Sequence, residues 1–219
     1  TFFVLVIFHA LLSAIFFFIA NTNYFTSLHN SQGFWHFASD SILYHNEALN
    51  SKILLQNSDW IGWFNSYIGH VHVKYIALLY WLSGIDLPII FEAVNGPIWA
   101  CSILLIFRSS QEIFKENTIV PVVATLFFFQ PSVVMHSSQL LRDPILLLGV
   151  CMLCYGWSLI HKPNFIYKGI LYILFGTYLF VSIKPYLSQL IMIIFTCYLV
   201  YVFFSRDISR KGILILIAL

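Results

Sequence analysis

The chain has 219 residues, of which 60% are hydrophobic and 9% charged, with a formal net charge of +2. A soluble domain carries roughly 25% charged residues, so these proportions exclude a water-exposed globule, and the small positive charge excludes a nucleic-acid partner. With a mean hydropathy of +0.85, the chain reads as all-α, a polytopic transmembrane helical bundle counted in spans of roughly 20 residues.

The first apolar run covers residues 2–20. It lacks the basic n-region and small-residue cleavage site of a signal peptide, so it reads as a retained span. The polar stretch 21–88 follows as a loop containing juxtamembrane helices. Within it, FASDSILYHNEALNSKIL (37–54) repeats Ile42, Leu43, Leu49, Ile53 and Leu54 at near-helical spacing among Asp40, His45, Glu47, Asn50 and Lys52. That pattern predicts an amphipathic helix lying on the membrane surface, with Ser39 or Asp40 placed to cap it. Trp60, Trp63 and Tyr67 are natural interface anchors. Residues 70–83 have an apolar part of only about ten residues, short for a span and better suited to an interfacial or re-entrant helix; were they to cross, the long loop would face the cytoplasm, opposite 136–143.

Further spans are predicted at 89–107, 118–135, 144–160, 169–183 and 187–204, with another beginning at 213. The total is about six or seven spans in a single transmembrane domain, 1–219. Because both ends fall inside apolar runs, the chain is expected to be an N-terminal fragment of a longer protein. Cys151 and Cys154 form a CxxC inside GVCMLCYGW with no second ligand pair nearby, and with Cys101 and Cys197 they read as packing residues.

Charge sets the sides. If 70–83 does not cross, Arg108, Lys115, Lys162, Lys168, Arg206, Arg210 and Lys211 share one side, seven of the 11 basic residues. Lys52, Lys74, Arg142 and Lys184 share the other. The positive-inside rule then places 21–88 and 136–143 outside the cytoplasm. Asp40 and Asp143 consequently return to the same face. Each has an ordinary reading, Asp40 as a solvated carboxylate and Asp143 as a favourable charge at a helix start opened by Pro144. Their coincidence at membrane depth marks both as functional candidates.

Three motifs then resemble a known family. SDSxxYHxxA (Ser39, Asp40, Ser41, Tyr44, His45, Ala48) follows the first span. HVKYIALLYWLSGID carries Lys74 and Gly84, and PSVVMHSSQLLRDPILLL carries Arg142 and Asp143. Over residues 1–160 this is similar to the GT-C superfamily of membrane glycosyltransferases, mannosyl- and aminoarabinose-transferase-like. It departs from protein mannosyltransferases in having one Asp at 40 rather than an acidic pair, and no KPP-type signature lies near Lys74.

The resemblance implies sugar transfer from a polyprenyl-phosphate-linked donor to a hydroxyl of a glycan, lipid or protein acceptor. It further implies an integral protein of the bacterial inner (plasma) membrane, surrounded by membrane lipids and active on the extracytoplasmic face. Such chemistry requires a carboxylate base, cations for the departing phosphate and an apolar groove for the lipid. Asp40 is the expected base and Asp143 the second catalytic or acceptor-binding carboxylate. Tyr44, His45, His70, Lys74, Arg142 and Lys184 are the expected substrate-binding residues. No cofactor is called for. His36, His45, His70 and His72 leave room for a divalent metal without fixing a ligand set.

Two other readings compete. A polysaccharide repeat-unit polymerase shares the helices and external basic residues, and a transporter would place ionisable groups within the spans. The spans are nearly free of charge, and Glu92, near the start of 89–107, is expected at the interface.

Overall fold

The structure, a computed structural model, describes residues 1–67, 70–115, 117–190, 192–193 and 196–197. Its α-helices are α1 (Phe2–Ile19), α2 (Asp40–Gln56), α3 (Trp60–Asn65), α4 (Val71–Ser83), α5 (Ile89–Ile113), α6 (Ile119–Leu126), α7 (Pro131–Ser137), α8 (Asp143–Ile160) and α9 (Ile166–Ile183). No strand occurs among the described residues, where the only pairing of that kind is an isolated bridge between His29 and Trp35.

Four helical segments are long and apolar enough to cross a membrane: α1, α5, α8, and α9 with its leading turn. A fifth candidate is bent by 59° between Phe129 and Pro131. Pro131 supplies no backbone N–H and forces the preceding residue out of the helical region, and Gln130 has ψ 134°. The expected 118–135 run is therefore interrupted, with the geometry of a broken span or a re-entrant loop. The expected span 187–204 lies for the most part outside the described residues, and the start at 213 lies wholly outside them. Among the described residues the span count is thus four, or five with the bent pair, against the larger number expected.

The apolar run 89–107 underestimates α5, which continues through Arg108 to Ile113. Its polar last turn brings Glu112 into an ion pair with Lys162 of the α8–α9 connection. That pair marks one end of the bundle.

In the juxtamembrane layer the expected helix cap is not formed. Neither Ser39 nor Asp40 makes a capping hydrogen bond; Ser39 is already helical and Asp40 opens α2. The buried face of α2 is Ser41, Tyr44, Ala48, Ser51 and Leu55, a stripe at i, i+3, i+7 spacing. Leu43 and Ile53, counted above toward the apolar face of a membrane-surface helix, are 49% and 52% exposed. Small side chains on the inner face let α4 approach closely, and the larger apolar ones are left for lipid.

α4 has 13 residues and ends at Gly84, where φ is 70°, a left-handed conformation that glycine adopts without a Cβ clash. Both flanks of α4 contact α2: His70 Nδ1 lies 2.7 Å from Glu47 Oε2, and Asp86 accepts from Lys52 Nζ at 2.7 Å. Since α2 carries Asp40, His45, Glu47 and Lys52 along its length, both helices belong to one polar layer.

α8 and α9 pack directly on each other through facing glycines. A Cβ on Gly156 would stand 2.8 Å from the Gly169 carbonyl oxygen, and one on Gly176 would stand 2.8 Å from that of Gly149. Small residues let helix backbones approach where no hydrophobic force drives association. The pairing brings the start of α8 beside the end of α9, so Asp143 and Lys184 meet at the end opposite Glu112 and Lys162.

Candidate functional site

At that end, a buried core of Tyr44, Val73, Ile76, Ala77, Leu140, Ile145 and Ile183 joins α2, α4, α8 and α9. Tyr44, 2% exposed, is the centre of the polar cluster above it. Its hydroxyl donates to Asp40 Oδ2 at 3.4 Å, one turn earlier on α2. The Arg142 guanidinium lies over its ring at 5.9 Å. Lys184 Nζ lies 4.0 Å from Asp143 Oδ1. Burial pushes the Tyr44 phenol up to about 12; Arg142 opposes this, and the carboxylates of Asp40 and Asp143 reinforce it. Both expected carboxylates therefore act on one phenol, which stays protonated and able to donate near neutral pH.

Two histidines edge the same ring. His70 approaches Tyr44 at 5.3 Å and His72 at 4.2 Å, both edge-on. His72 is fully buried, and neither of its ring nitrogens has a hydrogen-bond partner among the described residues. Burial, then Arg142, then His70 lower its pKa to about 3.

This makes a testable contribution to stability. Because the folded value lies below that of a free imidazole, protons bind the unfolded chain first, and stability falls as pH drops from about 6.5 toward 3. His72 alone is expected to cost about 2 kcal/mol on going from pH 7 to pH 5. Denaturant unfolding in detergent at the two pH values should show a smaller loss in His72→Phe than in wild type. Equal losses would contradict a buried neutral His72.

Two expected ligand-binding residues lie elsewhere. His45 Nδ1 is 2.9 Å from the Tyr80 hydroxyl, on a different side of α2 from the 40/44/47 stripe, and burial lowers its pKa against the opposing pull of Asp86. Lys74 donates to the Phe64 carbonyl and sits 5.2 Å over the Phe64 ring, so it braces α3 rather than joining Asp40. Glu92, expected at the interface, is 1% exposed. No group of three or more His, Cys, Asp or Glu among the described residues is arranged to hold a metal ion.

Beside the cluster, an open groove of about 400 Å³ runs between α7 and the first turns of α8, lined by Phe127, Val133, His136, Leu146, Leu147 and Val150, with Asp143 on its wall. His136 Nδ1 donates to the Ser132 carbonyl at 2.8 Å, and its ring meets Phe37 at 5.5 Å. The site thus gathers two carboxylates and two cations at one end of the bundle, with Asp143 on the wall of an apolar groove. Glu47 and His136 are members that sequence reasoning did not assign. The 40/44/47 spacing carried a signal for Glu47, and His136 had none beyond its proximity to Asp143.

No family model, curated protein or solved structure matches this chain.

Proposed function

We propose that this protein is a membrane glycosyltransferase that moves a sugar from a polyprenyl-phosphate-linked donor to a hydroxyl acceptor on the extracytoplasmic face. One observation carries the reading: Asp40, Arg142 and Asp143 gather around Tyr44 with Lys184 beside Asp143, and Asp143 lines an apolar groove. The resemblance of the three motifs to the GT-C superfamily supports it independently of the geometry.

In this reading Asp40, exposed at the start of α2, takes the proton of the acceptor hydroxyl as its oxygen attacks the anomeric carbon. The bond from that carbon to the phosphate oxygen breaks, and the lipid phosphate leaves with the electron pair. Arg142 and Lys184 are the cations placed to stabilise that charge. Tyr44 holds the Asp40 carboxylate by its hydroxyl, and Asp143 keeps Lys184 near the groove in which the isoprenoid chain lies. Inversion follows from a single displacement.

Glu92 is the observation that favours a transporter, since it places an ionisable group inside a span. It is a lone carboxyl, whereas the cations gather at the bundle end. Incubating the full-length chain in liposomes with polyprenyl-phosphate sugars tests the proposal: donor is expected to be consumed, and donors left intact together with a solute flux would favour transport instead.

A further inference from the structure

Glu92 and Asn95 stand one turn apart on α5 and are 1% and 0% exposed. Asn95 Nδ2 donates to the Gln139 carbonyl oxygen at 2.8 Å. Gln139, Leu140 and Leu141 are themselves buried and lead directly into Arg142 and Asp143. This one bond therefore ties α5 to the segment that delivers two residues of the candidate site.

Two oxygens remain unsatisfied. Glu92 Oε2 and Asn95 Oδ1 are buried with no hydrogen-bond partner among the described residues. An ionised carboxylate and an amide oxygen are both acceptors and cannot bond to each other; a carboxylic acid brings the missing donor. Burying an unpaired carboxylate is also far more costly than burying its neutral acid. On the neighbouring α4 the titratable group whose charge interacts with Glu92 is Tyr80, itself engaged with His45. It supplies no positive charge.

We infer that Glu92 holds a proton at neutral pH and donates it to Asn95 Oδ1, so that α5 positions the segment carrying Arg142 and Asp143 through two linked hydrogen bonds. Each orphaned oxygen is then satisfied. The positioning role rests on the transferase reading, but the protonation does not. Glu92 is a positioning residue here, distant from the reacting atoms and acting through Asn95 and Gln139.

Glu92 is the one acidic side chain that is buried among the described residues, which makes it spectroscopically separable. Infrared spectra of the full-length chain at pH 7 should contain a protonated-carboxyl stretch that disappears in Glu92→Gln. An amide can still donate to Asn95, so Glu92→Gln should keep the wild-type unfolding temperature and donor turnover. Glu92→Leu, of similar size but with no donor, should lower the unfolding temperature by several degrees and turnover more than tenfold. A wild-type spectrum without the acid stretch would overturn the inference, as would Glu92→Gln behaving like Glu92→Leu. If no form turns over donor, the transferase reading fails alone, because the spectra and unfolding temperatures still decide the protonation.

Discussion

Asp40→Asn is expected to slow sugar transfer from a polyprenyl-phosphate donor by about 10²- to 10⁴-fold, the range a positioned general base supplies. The substitution is close to isosteric, and the amide oxygen can still accept from the Tyr44 hydroxyl that lies 3.4 Å from Asp40 Oδ2. Asp40 is also exposed, so the core beneath Tyr44 is untouched and unfolding should match wild type. What the amide cannot do is take a proton. The loss should therefore appear in kcat, with the donor KM little changed, because the proposal assigns the phosphate to Arg142 and Lys184 rather than to Asp40. Steady-state turnover in liposomes reads both quantities. Equal kcat in the two forms would remove Asp40 as the base.

Gly176→Leu is expected to have the largest structural effect. At that position even a Cβ would lie 2.8 Å from the Gly149 carbonyl oxygen and 3.0 Å from the Leu153 backbone nitrogen. Backbone atoms cannot rotate away as a flexible side chain can, so the helices must separate. Overpacking of this kind costs about 3 kcal/mol, and here it also reaches the site. Asp143 opens α8 and Lys184 follows the end of α9, and their 4.0 Å contact depends on how closely the helices pair. Denaturant unfolding in detergent should show the loss of stability, and donor turnover should fall with it. Unchanged unfolding would mean that the α8–α9 contact is looser than its glycines indicate.

Much of this architecture is legible in the sequence because lipid demands long apolar runs, and a run announces its own helix. α1, α5, α8 and α9 all lie where the runs lie. Boundaries suffer where the rule stops at a charge: α5 passes Arg108 because Glu112 meets Lys162 beyond it. The buried face of α2 is harder to read. Counting apolar residues identifies a lipid-facing stripe as readily as a core, and the core side of α2 is built from Ser41, Ala48 and Ser51.

The site divides along the same line. Asp40 and Tyr44 share a stripe by their i, i+4 spacing, while His45, one residue further on, is turned about 100° around the helix and meets Tyr80 instead. Lys74 looked equivalent to Arg142 as a cation on the same side, but nothing in its sequence context revealed the Phe64 carbonyl it would meet. Residues two apart, such as His70 and His72, do not share a face of one helix. They both reach Tyr44 because His70 precedes α4 with φ −128° and ψ 59°, outside helical geometry. Such contacts come from tertiary packing, which a pattern along the chain does not encode.

The central claim is that Asp40 and Asp143, separated by two crossings, stand together on one membrane face. Single cysteines test it directly in a background lacking Cys101, Cys151, Cys154 and Cys197. Asp40→Cys occupies an exposed position, Asp143→Cys replaces a side chain that is 48% exposed, and Asn164→Cys lies exposed at the opposite end of the bundle. A membrane-impermeant thiol reagent added to intact cells should label positions 40 and 143 and spare 164. Labelling of 40 and 143 from opposite sides would contradict the shared site and the function built on it.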